Sequence, residues 1–289
     1  MSIGSGIHVL HRSRACEGLH VVLGGQMDEQ MDEQGHGRAP ELGLATLLGE
    51  LEAEGARPTA VTLRVVRAED SGWATAALRW LHAHGRRALV RTSRALPRPL
   101  IEGAEASGAT VLLELAHHRP EMQRALLGPE ATAASALLLQ AQHLVQRGIG
   151  VVAGLGPLMP GIHDVPGQLA PLLHHLRAAD LHHVHLSVGQ LTGARLRAAA
   201  AIDEGLALGL CRAFGVDASG GEAGSEGPWR LSRLARAALH EGVRVLVREH
   251  GARVDACGCG AQCLLDGGGR PAYVPVLAGE LFAASGAES

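Results

Sequence analysis

Lysine is absent from the sequence, so all 26 basic residues are arginine. Aromatic residues make up 2% of the chain, and Arg alternates with Asp and Glu to leave a formal net charge of -3. Without a broad basic stripe or interleaved aromatics there is no footprint for gripping a phosphate backbone, so nucleic acid is not the expected partner. No apolar run reaches the ~18–20 residues that a spanning helix needs, and residues 1–10 lack the basic start and long apolar stretch of a secretory signal. A cytoplasmic protein with no membrane segment is expected. Cysteine is scarce too: there are 5, an odd number, and three of them lie within seven residues of one another. That distribution does not suit a secreted disulfide framework.

What is present is ordinary globular material, 289 residues with 46% hydrophobic and 19% charged. Short Leu/Val-rich runs alternate with longer Ala/Leu/Arg segments of helical period, the pattern of repeated strand–helix units on a parallel sheet. The pattern predicts strands near 19–23, 60–66, 87–92, 109–115, 149–155 and 182–188. Helices are predicted near 41–54, 73–84, 97–107, 131–147, 165–179 and 191–210. Six such units fit an α/β protein with a parallel (β/α)6-like partial TIM-type barrel over 1–214, and a doubly wound open sheet is the competing architecture. A Gly/Ser/Glu-rich stretch over 215–227 reads as a flexible loop. Beyond it, 228–289 forms a C-terminal extension with a helix over 229–241, a strand over 243–248 and a cysteine cluster. The doublet Met27-Asp-Glu-Gln30, Met31-Asp-Glu-Gln34 is too short to mark a solenoid.

The order of Leu19-His-Val-Val-Leu23, Val61-Thr-Leu-Arg64, Val90-Arg-Thr-Ser93 and Gly148-Ile-Gly-Val-Val152, followed by Gly156-Pro-Leu-Met-Pro-Gly-Ile-His-Asp164, resembles the radical S-adenosylmethionine (SAM) barrel superfamily over about 19–190. The last stretch looks like the fifth strand and following loop of that superfamily, where Pro-x-x-Pro-Gly-x-x-Asp is frequent. The resemblance implies a Cys-x3-Cys-x2-Cys loop after the first strand, whose thiolates hold a [4Fe–4S] cluster with one iron open to SAM. Here that spacing falls on Gln26, Gln30 and Glu33. Amide and carboxylate oxygens are hard donors and an iron–sulfur cluster needs soft thiolates, so no SAM cluster is expected at this loop. The implied protein is a degenerate barrel, a non-catalytic binding or partner subunit for an unknown small molecule or protein.

Cys257-x-Cys259-x3-Cys263 is the strongest chemical signal, because Gly258 and Gly260 permit the tight turns of a ligand loop. Zinc would need a fourth ligand from Cys211, His250 or Asp255, whereas an iron–sulfur cluster would prefer Cys211. A metal- or iron–sulfur-dependent enzyme using these thiols is the alternative function, and redox-active or unliganded thiols remain open. Cys16 is read as lying upstream of the first strand. The adjacent pairs His117-His118, His174-His175 and His182-His183 point apart on any regular element and are poor chelators, while His183 and His185 share one strand face. The carboxyl ends of the strands assemble pockets in such folds, which makes Arg91, Glu114, His163 and Asp164 candidate pocket residues beside Gln26, Gln30 and Glu33. No dinucleotide, P-loop or nucleophile-elbow signature is present.

Overall fold

The computed structural model describes residues 2–3, 7–16, 18–25, 49, 58–65, 70–216 and 228–254. Among the described residues nine strands follow one another in sheet order as in sequence: β1 (Ser2–Ile3), β2 (Ile7–Cys16), β3 (Gly18–Gly25), β4 (Pro58–Val65), β5 (Arg87–Thr92), β6 (Thr110–Leu115), β7 (Val151–Leu158), β8 (His183–Val188) and β9 (Arg253–Val254). The six strands β3 to β8 form an all-parallel sheet. Leu23 pairs with Leu63, Leu63 with Val90, and Leu155 with Leu186, while β9 adds a short parallel edge through Val184 and Val254. Helices α1 (Asp70–Ala83), α2 (Arg98–Ser107), α3 (Pro120–Leu127), α4 (Ala134–Gln146), α5 (Pro166–Ala178), α6 (Gly193–Ile202), α7 (Glu204–Phe214) and α8 (Arg233–Glu249) complete the described elements. None of the described helices is long and apolar enough to cross a membrane.

The chain divides into two compact units, one of residues 1–112, 143–151 and 274–289, the other of 113–142 and 152–273. In the first, α1 packs against α2 at a close approach where the Gly103 backbone faces Thr75 and Leu78. Leu63, Leu78, Leu81 and Leu100 are fully buried there. α2 starts with Pro99 in its first turn, where the missing N–H costs nothing, and stops at Gly108, whose φ of 63° closes the helix in the left-handed conformation. In the second unit the core is built from Leu115, Met122, Leu137, Ala153, Leu155, Leu158, Val184 and Val243.

Strands β6 and β7 are almost uniformly buried along their lengths, as expected of a parallel strand covered on both faces. Their near-continuous apolar runs are what made them legible.

Four expectations are corrected. Strand 19–23 is the third strand, not the first: β1 and β2 precede it, β2 pairing antiparallel with β3, and Cys16, expected ahead of the first strand, is the last residue of β2. The Arg/His/Ser content after Val9 conceals the alternation of β2. The stretch 243–248 is helical, inside α8: Val243, Val245 and Val247 alternate as in a strand, but Leu239, Val243 and Val247 form a buried stripe at helical spacing. The helix read over 191–210 is two, broken at Asp203, whose extended φ of -157° and ψ of 116° end α6 and cap α7. An unread helix, α3, lies between β6 and α4. The helix expected over 41–54 falls largely outside the described residues, as does most of the 215–227 loop.

Candidate functional site

The second unit places two loops side by side, one after β6 and one after β7. The β6 loop, Ala116 to Arg119, is held by a side chain from α3. Gln123 is 0% exposed, and its Oε1 accepts from the N–H groups of Ala116 (2.8 Å) and His117 (3.0 Å). Its Nε2 donates to the carbonyls of Glu114 and Thr132, each at 3.3 Å. All four hydrogen-bonding positions of a primary amide are thus used, satisfying backbone groups that the strand no longer pairs.

The β7 loop is fixed by His163. Its Nδ1 accepts from the Met159 N–H (2.9 Å) and its Nε2–H donates to the Ala116 carbonyl (2.8 Å). That arrangement is the neutral imidazole, and burial pushes its pKa down in the same sense. Asp164 is exposed and closes the turn by accepting from the Gly161 N–H at 2.6 Å. The backbone also passes very close to β8 here: a Cβ on Gly189 would stand 2.5 Å from Pro157 Cβ and 2.7 Å from Met159 Cε.

His117 is buried beside these loops. Its Nδ1 accepts from the Arg119 N–H (3.0 Å), and its Nε2–H donates to Gln168 Oε1 (3.3 Å) in the first turn of α5. The ring stacks on His118 with centroids 4.4 Å apart. Burial, reinforced by His118, pushes the His117 pKa down to about 4, so the ring is neutral at pH 7. His118 moves the same way, through burial and then Arg119.

A cavity of about 270 Å³ opens where the two loops meet the amino end of α7. Met122 and Ile162, each 2% exposed, form its apolar floor with half-buried Leu206. Arg119, Gln168 and Asp203 stand exposed at its rim beside Gly161 and Gly205. Asp203 Oδ1 accepts from the Leu206 N–H (3.1 Å), and Arg119 faces Glu121 at 3.6 Å.

Of the sequence-selected residues, His163 and Asp164 sit in the β7 loop, but as framework: their polar atoms bind backbone. Glu114 is buried in β6, and Arg91 is half-buried in β5 of the first unit. Gln26, Gln30 and Glu33 lie outside the described residues, as do Cys257, Cys259, Cys263 and Asp255. Cys211 is a buried free thiol in α7, 4% exposed, and His250 bonds the Leu246 carbonyl at 2.8 Å. Among the described residues no three His, Cys, Asp or Glu side chains converge as metal ligands. Sequence reading passed over Arg119, Gln123, Gln168 and Asp203. The signal for Asp203 was available, since Asp immediately ahead of an apolar run is a helix N-cap signal. Gln123 carried no signal, because a lone Gln in a short amphipathic helix reads as surface. Compared with known proteins, the sequence matches no family model and no curated protein.

Proposed function

We propose that the chain is a non-catalytic binding protein, taking a small molecule into the cavity between the β6 and β7 loops and α7. The observation that carries this reading is the commitment of the two buried histidines of the β6 and β7 loops, His117 and His163. His117 and His163 each use both ring nitrogens on neighbouring groups, and each is held neutral, so neither is poised to move a proton at the cavity. The rim side chains, by contrast, point to recognition: one guanidinium, one carboxylate and one amide around an apolar floor.

The sequential parallel strands support a finer reading, a partial barrel of the radical-SAM type with Gln26, Gln30 and Glu33 in place of the cluster thiolates. Supporting a second role, Cys257, Cys259 and Cys263 would hold zinc or an iron–sulfur cluster, with Cys211 or His250 as the fourth ligand. If that site is catalytic rather than structural, the chain is a metal-dependent enzyme.

A ligand-observed NMR fragment screen tests the binding reading, with Leu206→Trp as a variant that fills the cavity. Hits that bind wild type and vanish in the variant are expected, and their absence overturns it. Formation of 5′-deoxyadenosine from SAM by the anaerobically reconstituted protein would overturn the non-catalytic reading. Stoichiometric metal in wild type, lost in Cys259→Ser, is expected for the tail site.

A further inference from the structure

We infer that the ligand of this cavity is a small zwitterion with an apolar side chain, an α-amino acid of leucine or methionine size. The inference rests on the reading of the cavity as a binding site and names what that site selects.

Three features carry it. The first is the pairing of opposite charges at one rim. Arg119 and Asp203 both line the opening, yet no ion pair joins them among the described residues. Asp203 spends Oδ1 on the Leu206 N–H, and Oδ2 is left for a ligand. Among the described residues Arg119 has one ion-pair partner, Glu121 at 3.6 Å, and exposed pairs of that kind are weak enough to yield to a better-placed carboxylate. A purely anionic ligand would meet Asp203, and a purely cationic one would meet Arg119. A molecule bearing both signs satisfies both. A bidentate guanidinium is moreover the group best matched to a carboxylate.

The second feature is the floor. Met122 and Ile162 are buried and Leu206 half-buried, so an aliphatic side chain between the charged groups would lose apolar surface to water-free contact. Methionine in the floor adapts to linear and branched chains alike. The third is size. About 270 Å³ lies just below the range of drug-sized pockets, which suits one amino acid better than a nucleotide. Gln168 adds an amide whose Oε1 is occupied by His117, leaving its NH2 to donate to the ligand carboxylate.

Isothermal titration of the full chain with four probes tests the inference: L-leucine, leucinamide, N-acetyl-leucine and 3-methylbutanol. Leucine is expected to bind at least tenfold more tightly than each of the other three. Arg119→Gln should weaken leucine at least fivefold and weaken leucinamide not at all. Asp203→Asn, which preserves the helix cap, should weaken leucine similarly and weaken N-acetyl-leucine not at all. Equal affinity for leucine and either blocked analogue overturns the zwitterion, as does leucine affinity unchanged in Arg119→Gln. If no probe binds while the fragment screen finds hits sensitive to Leu206→Trp, the binding site stands and the zwitterion falls. If the screen also fails, both fall.

Discussion

The His163 ring donates its Nε2–H to the carbonyl of Ala116, 47 residues earlier in the chain, at 2.8 Å. The N–H of the same Ala116 is taken by Gln123 at 2.8 Å. Both backbone groups of one residue past the end of β6 are therefore satisfied by side chains from other elements. Where a strand ends inside the protein, such surrogates are the alternative to burying orphaned polar groups.

Replacing His163 with Phe keeps most of the volume but leaves the Ala116 carbonyl and the Met159 N–H without partners. Each unsatisfied buried group costs about 1–3 kcal/mol, so the variant should lose at least ~2 kcal/mol in urea unfolding. A loss below ~0.5 kcal/mol would contradict a structural role for the imidazole.

Gln123→Leu is nearly isosteric and removes four hydrogen bonds together, two of them to N–H groups with no other partner. A loss of ~3 kcal/mol is expected. Because both substitutions strip Ala116, the Gln123→Leu/His163→Phe double variant should lose less than the sum of the two, by ~0.5 kcal/mol or more. Strict additivity in a double-mutant cycle would sever the proposed link.

His117 titrates near 4 in the folded protein against an ordinary value of 6.5. Above 6.5 neither state binds the proton and the full stability is present. As the pH falls from 6.5 towards 4 the unfolded chain takes up the proton first, so stability drops, by up to about 3 kcal/mol from this residue. Burial drives the shift, with His118, Arg119 and His163 nearby adding to it. Urea midpoints at pH 7.5 and 4.5 should diverge more in wild type than in His117→Gln, and equal differences would reject the assignment.

Gly189 and Gly103 make a matched pair. Gly189→Ala sets a methyl 2.5 Å from Pro157 Cβ and 2.7 Å from Met159 Cε, so it should destabilise by ~2 kcal/mol or more. Gly103→Ala lies on a helix at an ordinary 3.4 Å from Thr75 Cγ2, and should be neutral or raise stability by up to ~1 kcal/mol. Thermal unfolding of both variants side by side is decisive, and the reverse ranking would show that the β7–β8 approach is not tight.

How legible all this was depended on whether one segment carried its own signal. The buried runs of β6 and β7 announced themselves because their neighbours on both faces are apolar, and hydrophobicity is local information. The valines of α8 misled because residues 243, 245 and 247 satisfy a two-residue period as well as part of a helical one, and only Leu239 breaks the tie. His163 and Asp164 were singled out as chemistry at a strand end, and their loop does border the cavity. Their roles were not legible, because what a histidine does depends on whether Ala116 and Met159 come within reach, and that is set by the fold. Arg119 and Asp203 sit far apart in sequence and share a cavity only once α3 and α7 are in place.

The amide of Gln123 holds the β6 loop, while the polar side chains at the cavity rim hang from that loop, from the first turn of α5 and from the cap of α7. The shape of the β6 loop is consequently set by Gln123, while Asp203 serves both the α7 cap and the rim. A change of charge at position 119 would alter the rim with little penalty to folding, a change at position 203 must keep an oxygen to cap α7, and any change at position 123 strikes the scaffold first. On the proposed reading of the cavity, such a division lets descendants of one sequence drift to new ligands by rim substitutions that leave the loop and the α7 cap in place.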